Sequence, residues 1–392
     1  MTAADRAPQD IDWEEVRARY VTQYPLLNLN NAAVSPPTLA VQAAVREAID
    51  AIARNPDYAM WSGLDLKLPD TKAALARLID AAPDEIALNR NATEGLSLVI
   101  FGIPLRMGDE VLIAPWDYPA AIGGWRQRAR RDGIVTVECT FDLMADDDTI
   151  VAAYEAAITP RTRVMHLTHM VHWNGKRLPV ERLCAIARAR GILTVVDGAQ
   201  SFAQMPVSFR AMACDYFVTS LHKWLGAPVG NGMVVMRADL IAETWSHLAP
   251  FETTPYAIGK FDHWNLGTYN SALQAAIPVA IEQYDMIGPH LMRRRLSELT
   301  DYWVARARRI PGFLLFSQTT GGRAGAVGLF AIEGRDARAI EEALRSEHAI
   351  HLKYRKVGEI EGLRVSPHIY TRFSELDRFV DALDAVCRSL PG

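Results

Sequence analysis

Cysteine is scarce in this chain. Its 392 residues hold four, Cys139, Cys184, Cys214 and Cys387, with no CxxC pair and no histidine pair at ligand spacing beside them. That scarcity argues against a disulfide framework and a zinc site, and it suits a reducing cytoplasm. Charge of one sign is missing too: the net charge of −4 shows no basic excess, so no nucleic-acid partner is expected. No apolar run approaches a membrane span, and the opening MTAADRAPQDIDWEEVRARY lacks the apolar core of a signal peptide. A soluble cytoplasmic protein with no membrane partner is therefore expected. No GxGxxG opens a βαβ unit and no GxxxxGK[ST] occurs, which leaves dinucleotide and nucleotide sites with little support.

What is present is an ordinary globular balance, 49% hydrophobic and 22% charged, in a chain long enough for two domains. DWEEVRARY reads as a short helix in an N-terminal segment, 1–25. From about residue 26 to 255, strands and helices alternate. IVTVECT, TRVMHLTHM and ILTVVDGA are nearly continuous apolar runs, as strands covered on both faces should be. LPVERLCAIARARG, between the last two, has a proline start and a glycine stop, so it reads as the helix of a βαβ unit. The expected fold is α/β, a mainly parallel doubly wound sheet. Residues 256–392 read as a linking helix and a smaller α+β domain with strands FLLFSQ, AVGLFAIEG and LRVSPHI.

Two residues carry the chemical argument. Asp197 ends the apolar run TVVD, where open α/β sheets bind ligands. Alone it reads equally well as the cap of the next turn. Lys223 follows CDYFVTS, again just past a strand, and a single lysine there is more often a snorkelling surface charge. Opposite charges at the ends of consecutive strands suggest one site. Pyridoxal phosphate needs such a pair: an amine to form a Schiff base with its aldehyde, and a carboxylate to keep its ring nitrogen protonated. A phosphate cradle is also present, because Ala92 and Thr93 of RNATEGLSL open a helix whose free N–H groups favour a dianion. Thr93 as a plain N-cap is the simpler alternative. Ser220 and His222 flank the lysine and could donate to the same phosphate.

NATEG, then DGAQ, then TSLHKW with a glycine-rich turn behind it resembles the class V aminotransferase family of fold-type I pyridoxal phosphate enzymes. LNNAAVSPP, THMVHWNGKRLPV and LRVSPHIYTR are most similar to its isopenicillin N epimerase-like branch. The resemblance implies Lys223 as the Schiff-base lysine, Asp197 on the pyridine nitrogen and Gln200 facing the phenolic oxygen. It implies Ala92, Thr93, Ser220 and His222 on the phosphate, completed by Gly267 and Thr268 of a neighbouring subunit, hence a homodimer. Arg364 would hold the substrate carboxylate, a task suited to its planar fork, with Asn31 and Ala33 beside the substrate.

The pattern departs from the family in two places. Relatives carry a ring-stacking histidine after the strand VLIAP, but PWDYPAAIGGW has none, so Tyr118 is the expected stacking residue, with Pro119 and its neighbours as the alternative wall. An asparagine near the phenolic oxygen is replaced at its spacing by His172, unless Asn174 reaches in; ordinary packing is the alternative for His169 and His172. HAIHLKYRKVGEIEGLRVS holds no cysteine, which disfavours desulfurase chemistry through a mobile thiol. The resemblance thus implies an amino-acid epimerase, with aminotransfer the close rival, then a C–S or C–C lyase, then a non-catalytic cofactor-binding protein.

Overall fold

The structure is a computed structural model that describes residues 11–21, 25–249, 256–265, 267–318 and 325–390. Most of the N-terminal segment's first residues, and the expected boundary at 255, lie outside them. The short helix falls at Trp13–Ala18, with the Asp12 carboxylate accepting the Glu14 N–H at 2.8 Å.

Thirteen strands are described: β1 Leu27–Asn28, β2 Ile86–Asn89, β3 Glu110–Ile113, β4 Val135–Glu138, β5 Thr162–Thr168, β6 Leu193–Asp197, β7 Tyr216–Ser220, β8 Gly232–Met236, β9 Phe313–Leu315, β10 Gly328–Ile332, β11 Ile350–His351, β12 Lys353–Val357 and β13 Ile360–Val365. The large sheet has the order β2-β8-β7-β6-β5-β3-β4. It is parallel from β7 to β4, while β8 runs antiparallel to both β7 and β2. Its inner strands alternate between two cores. Met165, Val196 and Phe217 face one, and Val164, Val195, Tyr216 and Val218 face the other. The expectation that IVTVECT is covered on both faces fails for β4: it is the edge strand, and Val135 and Glu138 are exposed.

Helix Ala92–Gly102 packs on the second of these cores through Leu96 and Val99. Gly95 lets it lie close to the sheet, since a Cβ there would stand 2.6 Å from Val218 Cγ1 and 2.9 Å from Val234 Cγ2. This contact sets the helix N-terminus beside the ends of β6 and β7.

The smaller sheet has the order β12-β13-β10-β9, wholly antiparallel. Helices Ala337–Ser346 and Phe373–Ser389 bury Ile340, Leu344, Phe379 and Leu383 in its core. Helix Pro289–Ala307 packs in both cores, Met292 and Leu296 in the large one and Trp303 and Val304 in the small one. Residues 27–31, expected with the large domain, are hydrogen-bonded to the C-terminal part. β1 pairs in parallel with β11, and Asn31 N–H donates to the Ser366 carbonyl at 3.2 Å. No helix among the described residues is long and apolar enough to cross a membrane.

Candidate active site

Strand register brings the acidic half of the site together. Thr168, Asp197 and Val218 are direct neighbours across β5, β6 and β7. Alternation along β6 turns Asp197 to the same face as Val195, the face that helix Ala92–Gly102 covers. Its Oδ1 accepts the Ala199 N–H at 2.9 Å, so the turn-capping reading holds for one oxygen. Oδ2 accepts no hydrogen bond among the described residues. Burial pushes the Asp197 carboxyl up, with the Ala199 N–H and the Lys223 ammonium acting against that rise. Gly198 follows directly, where a Cβ would stand 1.9 Å from the Phe217 ring; the chain can turn away from the strand only because no side chain is there.

Lys223 lies three residues past β7, half-buried, and its Nζ makes no hydrogen bond among the described residues. Burial brings its ammonium down to about 8; Asp197 opposes this, and Arg364 and Arg355 add to it. An amine that loses its proton near neutrality can act as a base.

The helix N-terminus lies beside the end of β7, and its cap is not Thr93. The cap is Asn91, whose Oδ1 accepts the Glu94 N–H at 2.9 Å, and Thr93 is exposed in the first turn. Ser220 Oγ accepts the Ala92 N–H at 2.9 Å. The Thr93 N–H has no protein partner among the described residues and remains available to an anion. His222 Nδ1 lies 3.0 Å from the Asn231 carbonyl, and because a carbonyl only accepts, Nδ1 carries the proton. Burial and Lys223 lower this ring's pKa, so a proton on Nε2 depends on an anion beside it.

The opposite end is cationic. Arg364, on β13, is 1% exposed, donates to the His172 carbonyl at 3.0 Å and to Asn30 Oδ1 at 2.7 Å, and has no carboxylate partner among the described residues. Its Nε is buried without a partner. Burial, aided by Arg355, brings its pKa down to about 9. His172 is buried with Nδ1 unpartnered; burial, Arg364, Arg355 and Lys223 hold its pKa well below the usual range. The Tyr118 ring meets the His172 ring edge-on at 5.1 Å, and Trp173 lies against the same ring at 4.2 Å.

Other expected residues sit differently. Gln200 is buried, its Nε2 donating to the Ala32 carbonyl at 2.8 Å and its Oε1 accepting from Trp224 Nε1 at 3.1 Å; one amide hydrogen stays free. Asn31 is spent on structure, donating to Ser366 and Asn28 carbonyls and accepting from Tyr370 Oη at 2.8 Å, while Ala33 is exposed. Its neighbour Asn30 touches Arg364 instead. Asn174 turns away, its Nδ2 on the Phe316 carbonyl at 2.8 Å. His169 lies in the field of Glu181 and Arg177 on the far side. Gly267 and Thr268 line a cavity of about 410 Å³ with Arg90, Glu94, Gly230 and His263, and neither Lys223 nor Arg364 lines it.

Two residues of the cationic end escaped the sequence reading, Asn30 and Arg355. The hairpin KYRKVGEIEGLR held the signal for Arg355: its tight turn places Arg355 opposite Gly362, on the same face as Arg364.

A pyridoxal phosphate group fits these residues, which among the described residues are an unbonded lysine amine, a buried carboxylate with one free oxygen, an open helix N-terminus with a hydroxyl, and an unpaired buried guanidinium. The comparisons agree. The family described as aminotransferase class-V matches residues 27–379. Isopenicillin N epimerase of Streptomyces clavuligerus is 30% identical, covering 96% of this chain and 98% of its own. A probable cysteine desulfurase of Xylella fastidiosa (strain Temecula1) is 27% identical, covering 96% of each. Among solved structures, a C-DES mutant with glycine covalently linked to its PLP cofactor superposes with a TM-score of 0.84 at 19% identity, over 94% of this chain and 98% of that one.

Proposed function

The chain belongs to the class-V aminotransferase family, fold-type I enzymes whose cofactor is pyridoxal 5'-phosphate, and from that premise we propose that it moves a proton at Cα of an amino acid, with epimerisation as the outcome. The observation that carries this reading is Arg364: a guanidinium buried to 1% exposure, without a carboxylate partner among the described residues, in the electrostatic field of a lysine whose pKa burial brings down to about 8. A buried charge of that kind is costly unless a ligand supplies the counterion.

Each residue then has a task. Arg364 grips the substrate carboxylate, and Asn30 and the His172 carbonyl hold the guanidinium in place. Lys223 Nζ takes the Cα proton, and Asp197, buried beside it, anchors the cofactor's ring nitrogen. Thr93 N–H, Ser220 and His222 hold the phosphate. Tyr118 and His172 wall the ring, and Gln200 has one amide hydrogen for the phenolic oxygen. Bound there, the cofactor supplies an electron sink next to the substrate Cα.

The epimerase relative supports return of the proton to Cα. Desulfurase relatives are similar as well, but all four cysteines here are buried. Desolvation pushes the thiols of Cys139 and Cys184 up to about 12 and that of Cys387 to about 11, which leaves no thiolate nucleophile at the site. The reading extends to a cytoplasmic homodimer in which Gly267 and Thr268 complete the partner's phosphate site.

The test is a panel of amino acids incubated with the holoenzyme in deuterated water, with products resolved by chirality and mass. Deuterium at Cα with inversion and an unchanged cofactor spectrum is the expected result. A keto acid with pyridoxamine phosphate would replace epimerisation by aminotransfer. Loss of a side-chain leaving group would make it a lyase.

A further inference from the structure

We propose that Arg355 is a second anion-binding residue of the substrate site, and that the substrate is an amino acid bearing a second carboxylate, a reading that rests on the Cα chemistry proposed above.

The placement comes from the hairpin β12–β13. Lys353 pairs with Arg364 and Arg355 with Gly362, so Arg355 and Arg364 lie on one face as diagonal neighbours, about 7–8 Å apart at that register. The alternate residues Tyr354 and Leu363 are buried in the small core on the other face. Gly362, opposite Arg355, adds no side chain between the two guanidiniums.

Arg355 is half-buried, and its Nε is buried without a partner. Its guanidinium makes no hydrogen bond or ion pair among the described residues; it lies 5.9 Å from the centre of the Trp173 ring. The carboxylate that acts on it electrostatically, Glu341, is already engaged: it accepts the Tyr354 N–H at 3.0 Å and pairs with Lys353 at 3.7 Å. Arg355 in turn lowers the pKa of Arg364, Lys223 and His172, so it shares their space.

Among the described residues, the carboxylate that acts on Lys223 is Asp197, which would face the cofactor's ring nitrogen, and none is paired with Arg364 or Arg355. An α-carboxylate on Arg364 offsets one of the two. Arg355 remains, held over Trp173 with no counterion among the described residues. A diacid satisfies both guanidiniums, each through a charge-assisted fork.

The test is calorimetric titration of the holoenzyme with unreactive acids: glutarate, adipate and pimelate against butyrate and hexanoate. At least one diacid should bind roughly 10- to 100-fold more tightly than its monoacid counterpart. That ratio should collapse in Arg355→Gln and survive in part in Arg355→Lys, which keeps the charge without the fork. Equal binding of diacids and monoacids to the wild type, or an unchanged ratio in Arg355→Gln, would overturn the proposal. The titration involves no turnover. If no amino acid exchanges its Cα proton, the proposed function falls while the diacid preference still decides the role of Arg355.

Discussion

Ser220 Oγ accepts the backbone N–H of Ala92 at 2.9 Å, joining the last residue of β7 to the first turn of helix Ala92–Gly102. This one bond ties the proposed phosphate site to the segment that carries Lys223, three residues further on. Ser220→Ala should weaken cofactor affinity roughly 10-fold, through loss of a hydroxyl and of the partner of a buried N–H. Equilibrium dialysis of the cofactor measures it, and unchanged affinity would remove Ser220 from the site.

Lys223→Ala should slow Cα deuterium exchange by at least about 10²–10⁴-fold, the usual worth of a positioned base. The fold should persist, because Nζ makes no hydrogen bond among the described residues. Circular dichroism and the exchange rate together check this.

The amine should also leave a trace in stability. Its folded pKa of about 8 lies below the ordinary 10.5, so between those values the unfolded state holds more protons than the folded one. Stability from this group therefore rises with pH across that window and is lost as pH falls through about 8. Lys223→Met should flatten urea-denaturation stability between pH 8 and 10.5 in the cofactor-free protein. An identical slope in wild type and variant would contradict the shift.

Arg364→Met separates binding from folding. Removing an unpaired buried charge should leave the melting temperature unchanged or raise it. The KM for an amino acid should rise roughly 10- to 100-fold, because a charge-assisted contact is gone. A lowered melting temperature with unchanged KM would make Arg364 structural.

Thr268 can be assigned to a subunit by mixing. If it serves the partner's site, dimers of Lys223→Ala with Thr268→Ala contain one site with both defects and one with neither. Activity should then recover to about half the wild-type value per mixed dimer, given that only one of its two sites is intact. No recovery above Thr268→Ala alone would place Thr268 in its own subunit's site.

His368 gives a test away from the chemistry. Its ring stacks on Trp224 at 5.7 Å with a 2° tilt, both nitrogens unpartnered, and burial lowers its pKa to about 3. Between about 3 and 6.5 the unfolded histidine holds the proton that the folded one lacks, so this group's contribution grows as pH rises. His368→Phe should keep the stack and flatten that dependence relative to wild type, as read from denaturation midpoints.

The sequence by itself determined most of the elements and pointed to Asp197 and Lys223 as a candidate pair. Apolar runs of strand length, a proline start and a glycine stop are local signals, and with the helix opening in RNATEGLSL they located β5, β6, β7 and helix Ala92–Gly102 because burial and capping act over a few residues. Asp197 and Lys223 were legible because a charge at the end of a buried strand is conspicuous. The edge position of β4 was not legible, since an apolar run does not say how many neighbours it will have. Only the tertiary structure decided that residues 27–31 join the C-terminal part, so that Asn30 rather than Asn31 meets Arg364. It alone also showed Arg355 beside Arg364 without a counterion among the described residues. Whether a charge is paired depends on groups hundreds of residues apart, and on the desolvation that the packed chain imposes on them.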